Sequence, residues 1–203
     1  MPGRGRLIAL EGGEGSGKST QAALLAQALG AQLTHEPGGT GLGQRIRSLV
    51  LDPRSSGLDP RAEALLMAAD RAQHVSEVIG PALAAGRWVV TDRFEGSSLA
   101  YQGHGRGLEL GELARVLAWA RGPVAADLNV LLDLDAEVAT SRRCGGPDRL
   151  EAEDPDFHAR VLAGYRHLAR SDPAAWAVVD ASGPPEEVAA RVLEAVRARL
   201  GRP

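Results

Sequence analysis

Lys18 and Ser19 stand behind four closely spaced glycines, Gly12, Gly13, Gly15 and Gly17, in the stretch RLIALEGGEGSGKST. The pattern G-x-x-x-x-G-K-[ST] lets consecutive backbone N–H groups curl around phosphate oxygens. Such a curl needs positive φ and close approach of backbone to ligand, which a Cβ at any of the four glycines would obstruct. A helix expected over residues 18–29 begins where the loop ends, so its unpaired N–H groups and the Lys18 ammonium face the same anion. The Ser19 hydroxyl is then placed for a magnesium ion bridging the β- and γ-phosphates. A plain glycine-rich turn is the alternative, but the apolar LIAL in front and the amphipathic QAALLAQAL behind give the strand–loop–helix setting that the motif requires.

A second chemical signal is the pair Asp92 and Arg93, at the end of the apolar run RWVVTD. An acid there, beside a phosphate-binding loop, is placed as an outer magnesium ligand, so Ser19 and Asp92 form the candidate metal set. Capping the segment that follows is the plainer role for Asp92. Phe94, Ser97, Ser98, Tyr101 and Gln102 come next at spacings that return to one helix face, where hydroxyls and an amide can read a polar heterocycle by its donors and acceptors. Arg45 and Arg47 lie behind the turn Pro37-Gly38-Gly39, and a planar fork of donors suits a phosphate, though a solvated surface position explains either as well. In EALLMAADRAQHV, helical spacing gathers Met67, Asp70, Arg71 and His74 on one face; three are polar, so the face either meets solvent or lines a cleft. For His74 a hydrogen-bonded or exposed position is preferred to a catalytic one, and no cysteine or histidine nearby has zinc-ligand spacing.

These residues need a scaffold. The 203 residues, 44% hydrophobic and 24% charged, are enough for one sizeable core and are read as a single domain over 1–203. Short apolar runs at 6–11, 32–36, 87–92, 128–134 and 176–180 alternate with longer helical patterns, which predicts parallel strands joined by crossover helices. RWVVTD and LNVLLDL are apolar almost throughout, as for central strands covered on both faces. Thr40 is expected to cap a helix whose apolar positions include Leu42, Ile46 and Leu49. The last helix repeats Val188, Val192, Val196 and Leu200, with Glu187 and Arg191 able to pair outside. In such a sheet the residues after each strand, Glu11 to Ser19, Glu36 to Thr40, Asp92 to Arg93 and Asp135 onward, converge on one crevice. A formal net charge of −3 offers no general attraction for a nucleic-acid polymer or an acidic membrane. A single cysteine, Cys144, fits a reducing compartment, and neither leader nor membrane helix is evident, so the cytoplasm is expected.

The segments LEGGEGSGKSTQ, HEPGGT, LLMAADRAQHV, DRFEGSSLAYQG and DRLEAED, in that order, make the chain resemble the thymidylate kinases over essentially its whole length. The resemblance implies an α/β P-loop NTPase fold: a five-stranded parallel sheet with helices on both faces and a short mobile lid. It implies transfer of the γ-phosphoryl of ATP to dTMP, giving dTDP and ADP, with Mg2+, and a homodimer. ATP would be held by Gly12, Gly13, Glu14, Gly15, Ser16, Gly17, Lys18, Ser19 and Thr20. On the acceptor side the family pattern puts Glu14 near the deoxyribose and Arg93 on the acceptor phosphate, with Arg47 a second candidate there. Arg71, Ser98 and Gln102 match positions near the thymine edge and Tyr101 one close to C2′ of the sugar; Glu36 and Pro37 are counted with them. A nucleotide phosphate is already ionised at neutral pH, so no strong base is needed. Catalysis is then alignment and charge neutralisation by Lys18, magnesium and arginines.

Residues 141–149, SRRCGGPDR, are the expected lid: Gly145, Gly146 and Pro147 break the helix, and Arg142, Arg143 and Arg149 surround the break. The P-loop has Gly15 and no arginine of its own, so the chain is similar to the bacterial subgroup whose lid supplies the catalytic arginine. Closure would expel water and bring that charge in; a solvated loop whose arginines keep it soluble is the plainer reading. Two departures bear on the base: Met67 stands where the family's phenylalanine would stack on thymine, and His35 where an arginine is common. Methionine is flexible and polarizable and can still lie against an aromatic ring. Two alternatives stay open, a kinase for another pyrimidine monophosphate such as dUMP, and a P-loop switch protein that binds ATP or GTP. Against the latter, there is no Asn-Lys-x-Asp guanine-reading segment.

Overall fold

The computed structural model describes residues 4–135, 138–139, 142 and 146–201. Five strands, β1 (Leu7–Glu11), β2 (Gln32–His35), β3 (Val89–Asp92), β4 (Leu128–Asp133) and β5 (Trp176–Asp180), form one all-parallel sheet in the order β2-β3-β1-β4-β5. They are the five apolar runs of the sequence, with ends displaced by at most two residues. RWVVTD and LNVLLDL supply β3 and β4, the two neighbours of β1, as their continuous apolar character demands.

Alternate strand residues face opposite sides, and both sides are covered. On one, Ile8, Leu10, Val90, Val130 and Leu132 pack with Leu25 of α1 (Lys18–Leu29) and with Val188, Val192 and Val196 of the C-terminal helix. On the other, Leu7, Ala9 and Val89 meet Val75, Ile79 and Leu83, while Leu131 and Trp176 meet Phe157, Val161 and Tyr165.

Helix α2 (Gly41–Leu51) starts where Thr40 Oγ1 accepts from Gly43 N at 2.9 Å. Its buried face is Gly43, Ile46 and Val50; Leu42 and Leu49 are exposed, which corrects the expected apolar stripe. The closest approach is made at a glycine, because a Cβ on Gly43 would run into the Asp70 carboxylate. Helix α3 (Pro60–His74) continues through a π-helical turn (Val75–Ile79) into α4 (Gly80–Ala84). The short α5 (Glu95–Ser98) continues likewise into a π-helical turn (Leu99–Gly105), a widened geometry often found at functional sites. Then come α6 (Leu110–Arg121), α7 (Pro155–Ser171) and α8 (Pro185–Leu200). Phe157 and Tyr165 of α7 meet Tyr101 edge-on, with ring centroids 6.1 and 6.3 Å apart. Glu187 and Arg191 of α8 stand 3.8 Å apart.

Register places the functional strand ends side by side. Asp92 is opposite Leu10 on one flank and His35 on the other, and Glu11 is opposite Leu131.

Candidate active site

The loop leaving β1 turns on glycines in the left-handed range, with φ of 148° at Gly12, 75° at Gly15 and 85° at Gly17. A Cβ on Gly12 would stand 2.8 Å from the Leu132 carbonyl oxygen, and one on Gly15 would collide with the Ala139 carbonyl. Gly13 departs from the expectation: its φ is not positive, and a Cβ there would meet no protein atom within 4 Å. Its contribution is the carbonyl oxygen, which accepts from Lys18 Nζ at 2.7 Å and from Ser16 Oγ at 2.9 Å. Helix α1 begins behind Gly17 with no side-chain cap, which leaves its first N–H groups for a bound anion. Lys18 is buried; burial first, then the neighbouring Arg93 charge, pushes its pKa down to about 8.

Ser19 Oγ donates to Asp92 Oδ2 at 2.5 Å, so the two expected metal groups meet. Asp92 Oδ1 is buried and has no hydrogen-bond partner among the described residues. A buried carboxylate oxygen without a donor, beside a hydroxyl, fits a hard divalent cation. Among the described residues no group of three or more His, Cys, Asp or Glu could hold a metal, so the protein alone offers an incomplete shell. That suits Mg2+, which keeps several waters and takes the rest of its ligands from phosphates.

One peptide further on, Arg93 has φ 73°, the single non-glycine in the left-handed region among the described residues. Its N–H donates to Leu10 O at 2.9 Å. Its guanidinium donates to Glu14, to Ser97 Oγ and Tyr165 OH at 3.2 Å each, and to Gly12 O and Tyr101 OH at 3.3 Å each. Below it Glu11, fully buried, accepts from Phe94 N at 3.0 Å, Ser97 Oγ at 2.6 Å and Tyr165 OH at 3.2 Å, and burial still raises its pKa. Strain held by so many contacts is the pattern of a functional backbone position.

Arg93, Glu14, Lys18, Ser19 and Asp92 line a cleft of about 450 Å³. Its walls also carry Glu36, Pro37, Arg47, Met67, Asp70, Arg71, Ser98, Tyr101 and Gln102, so the structure gathers all the expected acceptor-side residues, and of the α3 face Met67, Asp70 and Arg71 line the cleft. Arg47 Nη1 donates to Pro37 O at 3.0 Å; Arg45 is exposed and lines no described cavity. Arg71 donates from Nε to Glu36 Oε2 at 2.9 Å, from Nη1 to Ser98 Oγ at 3.1 Å and from Nη2 to Phe94 O at 2.8 Å. His74 is fully buried behind it, with Nδ1 2.9 Å from Glu36 Oε1 and Nε2 2.6 Å from Thr34 Oγ1. Asp70 Oδ1 accepts from Gly38 N at 3.0 Å, holding the glycine turn; burial, then the Glu36 charge, pushes its pKa up to about 6.

A second cavity of about 310 Å³ adjoins the loop, lined by Gly15, Ser16, Gly17, Thr20, Gln21, Arg142, Ala181, Gly183, Pro185 and Val188. Arg142 donates to Ala181 O at 3.1 Å and Gly183 O at 3.3 Å, so one expected lid arginine stands beside this cavity. Arg143 lies outside the described residues. Arg149 departs from the expectation of a mobile lid arginine beside the phosphates. It lines neither cavity, is 8% exposed, and donates at 2.6 Å both to Val50 O and to Glu63 Oε2.

Glu63, fully buried, was not singled out from sequence. Besides Arg149 it accepts from Gln102 Nε2 at 2.9 Å and from Arg106 Nη2 at 3.1 Å. Burial alone would raise its pKa, but the hydrogen bonds from Gln102, Arg106 and Arg149 outweigh it and hold the carboxyl below its ordinary value. A signal existed: Glu63 falls on the same face of α3 as Met67, Asp70, Arg71 and His74. The residues after β5, Ala181 to Pro185, carried no more than a turn signal.

The Thymidylate kinase family model matches residues 10–192. The thymidylate kinase of Leifsonia xyli subsp. xyli is 52% identical, the match covering 93% of this chain and 92% of that protein. The thymidylate kinase of Solidesulfovibrio magneticus is 50% identical, covering 91% of this chain and 95% of the relative. Among solved structures, a thymidylate kinase from Ehrlichia chaffeensis superposes with a TM-score of 0.81 at 29% identity, over 96% of this chain and 100% of the other.

Proposed function

The chain belongs to the thymidylate kinase family and transfers a phosphoryl group from ATP to dTMP; we propose that its two substrates meet across the Asp92–Arg93 peptide. The observation that carries this division is that two consecutive residues of the 450 Å³ cleft take different partners, Asp92 pairing with Ser19 of the P-loop and Arg93 donating to Glu14, Ser97 and two tyrosine hydroxyls. ATP takes the loop from Gly12 to Thr20, with Lys18 on its terminal phosphates. Its base takes the second cavity, beside Arg142 and the Ala181 to Pro185 segment.

Ser19 and Asp92 would hold Mg2+, which supplies charge neutralisation on the donor phosphates. Arg93 binds the acceptor phosphate from its frame of Glu14, Ser97 and the tyrosine hydroxyls, with Arg47 on the same side of the cleft. Glu14 and Tyr101 face the sugar; Arg71, Ser98 and Gln102 face the base, and Met67 lies along it. An acceptor phosphate oxygen, already ionised, attacks the γ-phosphorus in line and ADP leaves. What the protein adds is alignment and fixed positive charge. Arg142 and Arg143 are the proposed lid cations that join Lys18 and Arg93 as charge moves to the leaving oxygen, and Arg149 is the anchor of the segment behind them.

A homodimer working in the cytoplasm completes the reading. The dimer is supported by two exposed apolar side chains, Leu65 at 58% and Trp119 at 85%, on α3 and α6, helices that pack together through Ala64, Ala68, Leu113 and Leu117. No helix of the described residues is long and apolar enough to cross a membrane. A single-chain mass in sedimentation equilibrium would remove the dimer and leave the chemistry untouched.

The chemical test follows ADP release from ATP and magnesium against a panel of nucleoside monophosphates, with Lys18→Ala as control. Release should require dTMP and fall by about 10²-fold or more in the variant. ADP release that ignores the added monophosphate would overturn the reading.

A further inference from the structure

Gln102 offers the cleft either end of its amide, and the two ends are chemically opposite. Its Nε2 donates to Glu63 Oε1 at 2.9 Å, and Glu63 is fully buried. An ionised carboxylate only accepts, so the amide cannot rotate by half a turn without setting oxygen against oxygen in a dry site. The ionised form is secured by Arg149 at 2.6 Å and Arg106 at 3.1 Å on Oε2, and hydrogen bonding holds the Glu63 pKa below its usual value. Gln102 lines the cleft, and no described residue donates to its Oε1, so the end left for a ligand is the acceptor.

Beside it the wall presents donors. Ser98 Oγ accepts from Arg71 Nη1 at 3.1 Å, which leaves the hydroxyl proton to give. Arg71 spends Nε and Nη2 on Glu36 and Phe94 O, and keeps a second Nη1 proton. An acceptor next to donors matches the N3–H and O4 edge of thymine or uracil. It is opposite to cytosine, which shows a bare N3 and an amino group at the same places.

Resting on the functional reading above, we propose that Glu63, which never touches the nucleotide, sets the pyrimidine selectivity of the cleft by holding the Gln102 amide with its oxygen toward N3–H. Glu63 is thus a positioning residue. Through Arg149 it also ties base reading to the segment that follows the lid.

The test compares kcat/KM for dTMP, dCMP and N3-methyl-dTMP in the wild type, Glu63→Gln, Glu63→Asp and Arg106→Gln. Glu63→Gln replaces an acceptor by an amide that tolerates either orientation of Gln102. The preference for dTMP over dCMP should shrink by roughly tenfold or more, and so should the penalty for the N3-methyl group. Glu63→Asp, which restores a carboxylate, should recover part of that preference, and Arg106→Gln, which leaves Arg149 to keep Glu63 ionised, should retain most of the wild-type ratio even if it melts earlier. Unchanged ratios in a folded Glu63→Gln protein would overturn the proposal, as would equal loss in Arg106→Gln, the mark of a merely structural role. If Glu63→Gln does not fold, the wild type decides by NMR: the Gln102 side-chain NH2 should exchange slowly with solvent, and fast exchange overturns the proposal. A wild type without dTMP-dependent turnover would instead strike the functional reading, a separate outcome.

Discussion

The Ser19 hydroxyl and the Asp92 carboxylate face each other at 2.5 Å across the junction of α1 and β3, with the second Asp92 oxygen buried and unpartnered. Two groups already in contact bind a cation by admitting it between or beside them, so each should matter to magnesium more than to ATP alone. Asp92→Asn is expected to raise the magnesium concentration for half-maximal turnover by about tenfold, with little change in binding of magnesium-free ATP. Identical magnesium titrations of variant and wild type would remove Asp92 from the metal site.

Arg149 and Glu63 are both buried, so Arg149→Ala leaves a carboxylate with one charge partner fewer in a dry setting. Unfolding free energy should drop by about 3–5 kcal/mol in urea titration. An arginine serving only the migrating phosphoryl would show the reverse, kcat falling with stability intact.

Lys18 ordinarily titrates at 10.5 and is pushed down to about 8 in the folded, nucleotide-free protein. Between those values the unfolded chain binds more protons than the folded one. The cost Lys18 imposes on the fold is therefore full below about pH 8 and vanishes as pH rises toward 10.5. Bound phosphate restores the charge, so ATP binding takes up a proton above about pH 8, and affinity should fall by up to about tenfold per pH unit there. Calorimetric affinities flat from about pH 7.5 to about 9.5 would rule this out.

Asp70 is displaced the opposite way, from 3.8 up to about 6. Between these values the folded protein holds the extra proton, so stability through this group declines as pH rises from 3.8 to about 6, and the full cost persists above. Asp70→Asn keeps an acceptor for Gly38 N–H without the charge. It should be more stable than the wild type at neutral pH, by on the order of 1–3 kcal/mol, with the gap closing below about pH 4. Equal melting temperatures at neutral pH would contradict this.

Met67 is partly buried against the cluster that includes Tyr101 and Leu150, and lines the cleft. Met67→Phe puts an aromatic face where a flexible thioether lies, and should tighten dTMP binding roughly two- to tenfold, the equivalent of about 0.5–1.5 kcal/mol. Unchanged or weaker binding would show that the base does not lie on this side chain.

What could be read from the chain was what local pattern determines. Strands buried on both faces are apolar almost throughout, so β3 and β4 declared themselves, and a loop that must curl declared itself at Gly12, Gly15 and Gly17. What could not be read was partnership at a distance. Glu63 and Arg149 are 86 residues apart, and nothing in either neighbourhood says that one neutralises the other. The same blindness hid Glu11 beneath Arg93, where a glutamate ending a strand looks like any strand end. In α2 Leu42 and Leu49 point away from the packed face, which Ile46 and Val50 form together with Gly43, where the closest approach is made by a residue with no side chain at all.

Arg93 follows Asp92 directly and turns back through a left-handed step. On the proposed assignment, the residue that would hold the donor's metal and the residue that would hold the acceptor's phosphate are joined by one peptide unit, whose Cα atoms are about 3.8 Å apart. Covalent geometry then acts as a gauge block between the two attachment points. Loosening of helices or surface segments can slow the filling of the two sites, but it leaves the backbone attachment points of Asp92 and Arg93 one residue apart.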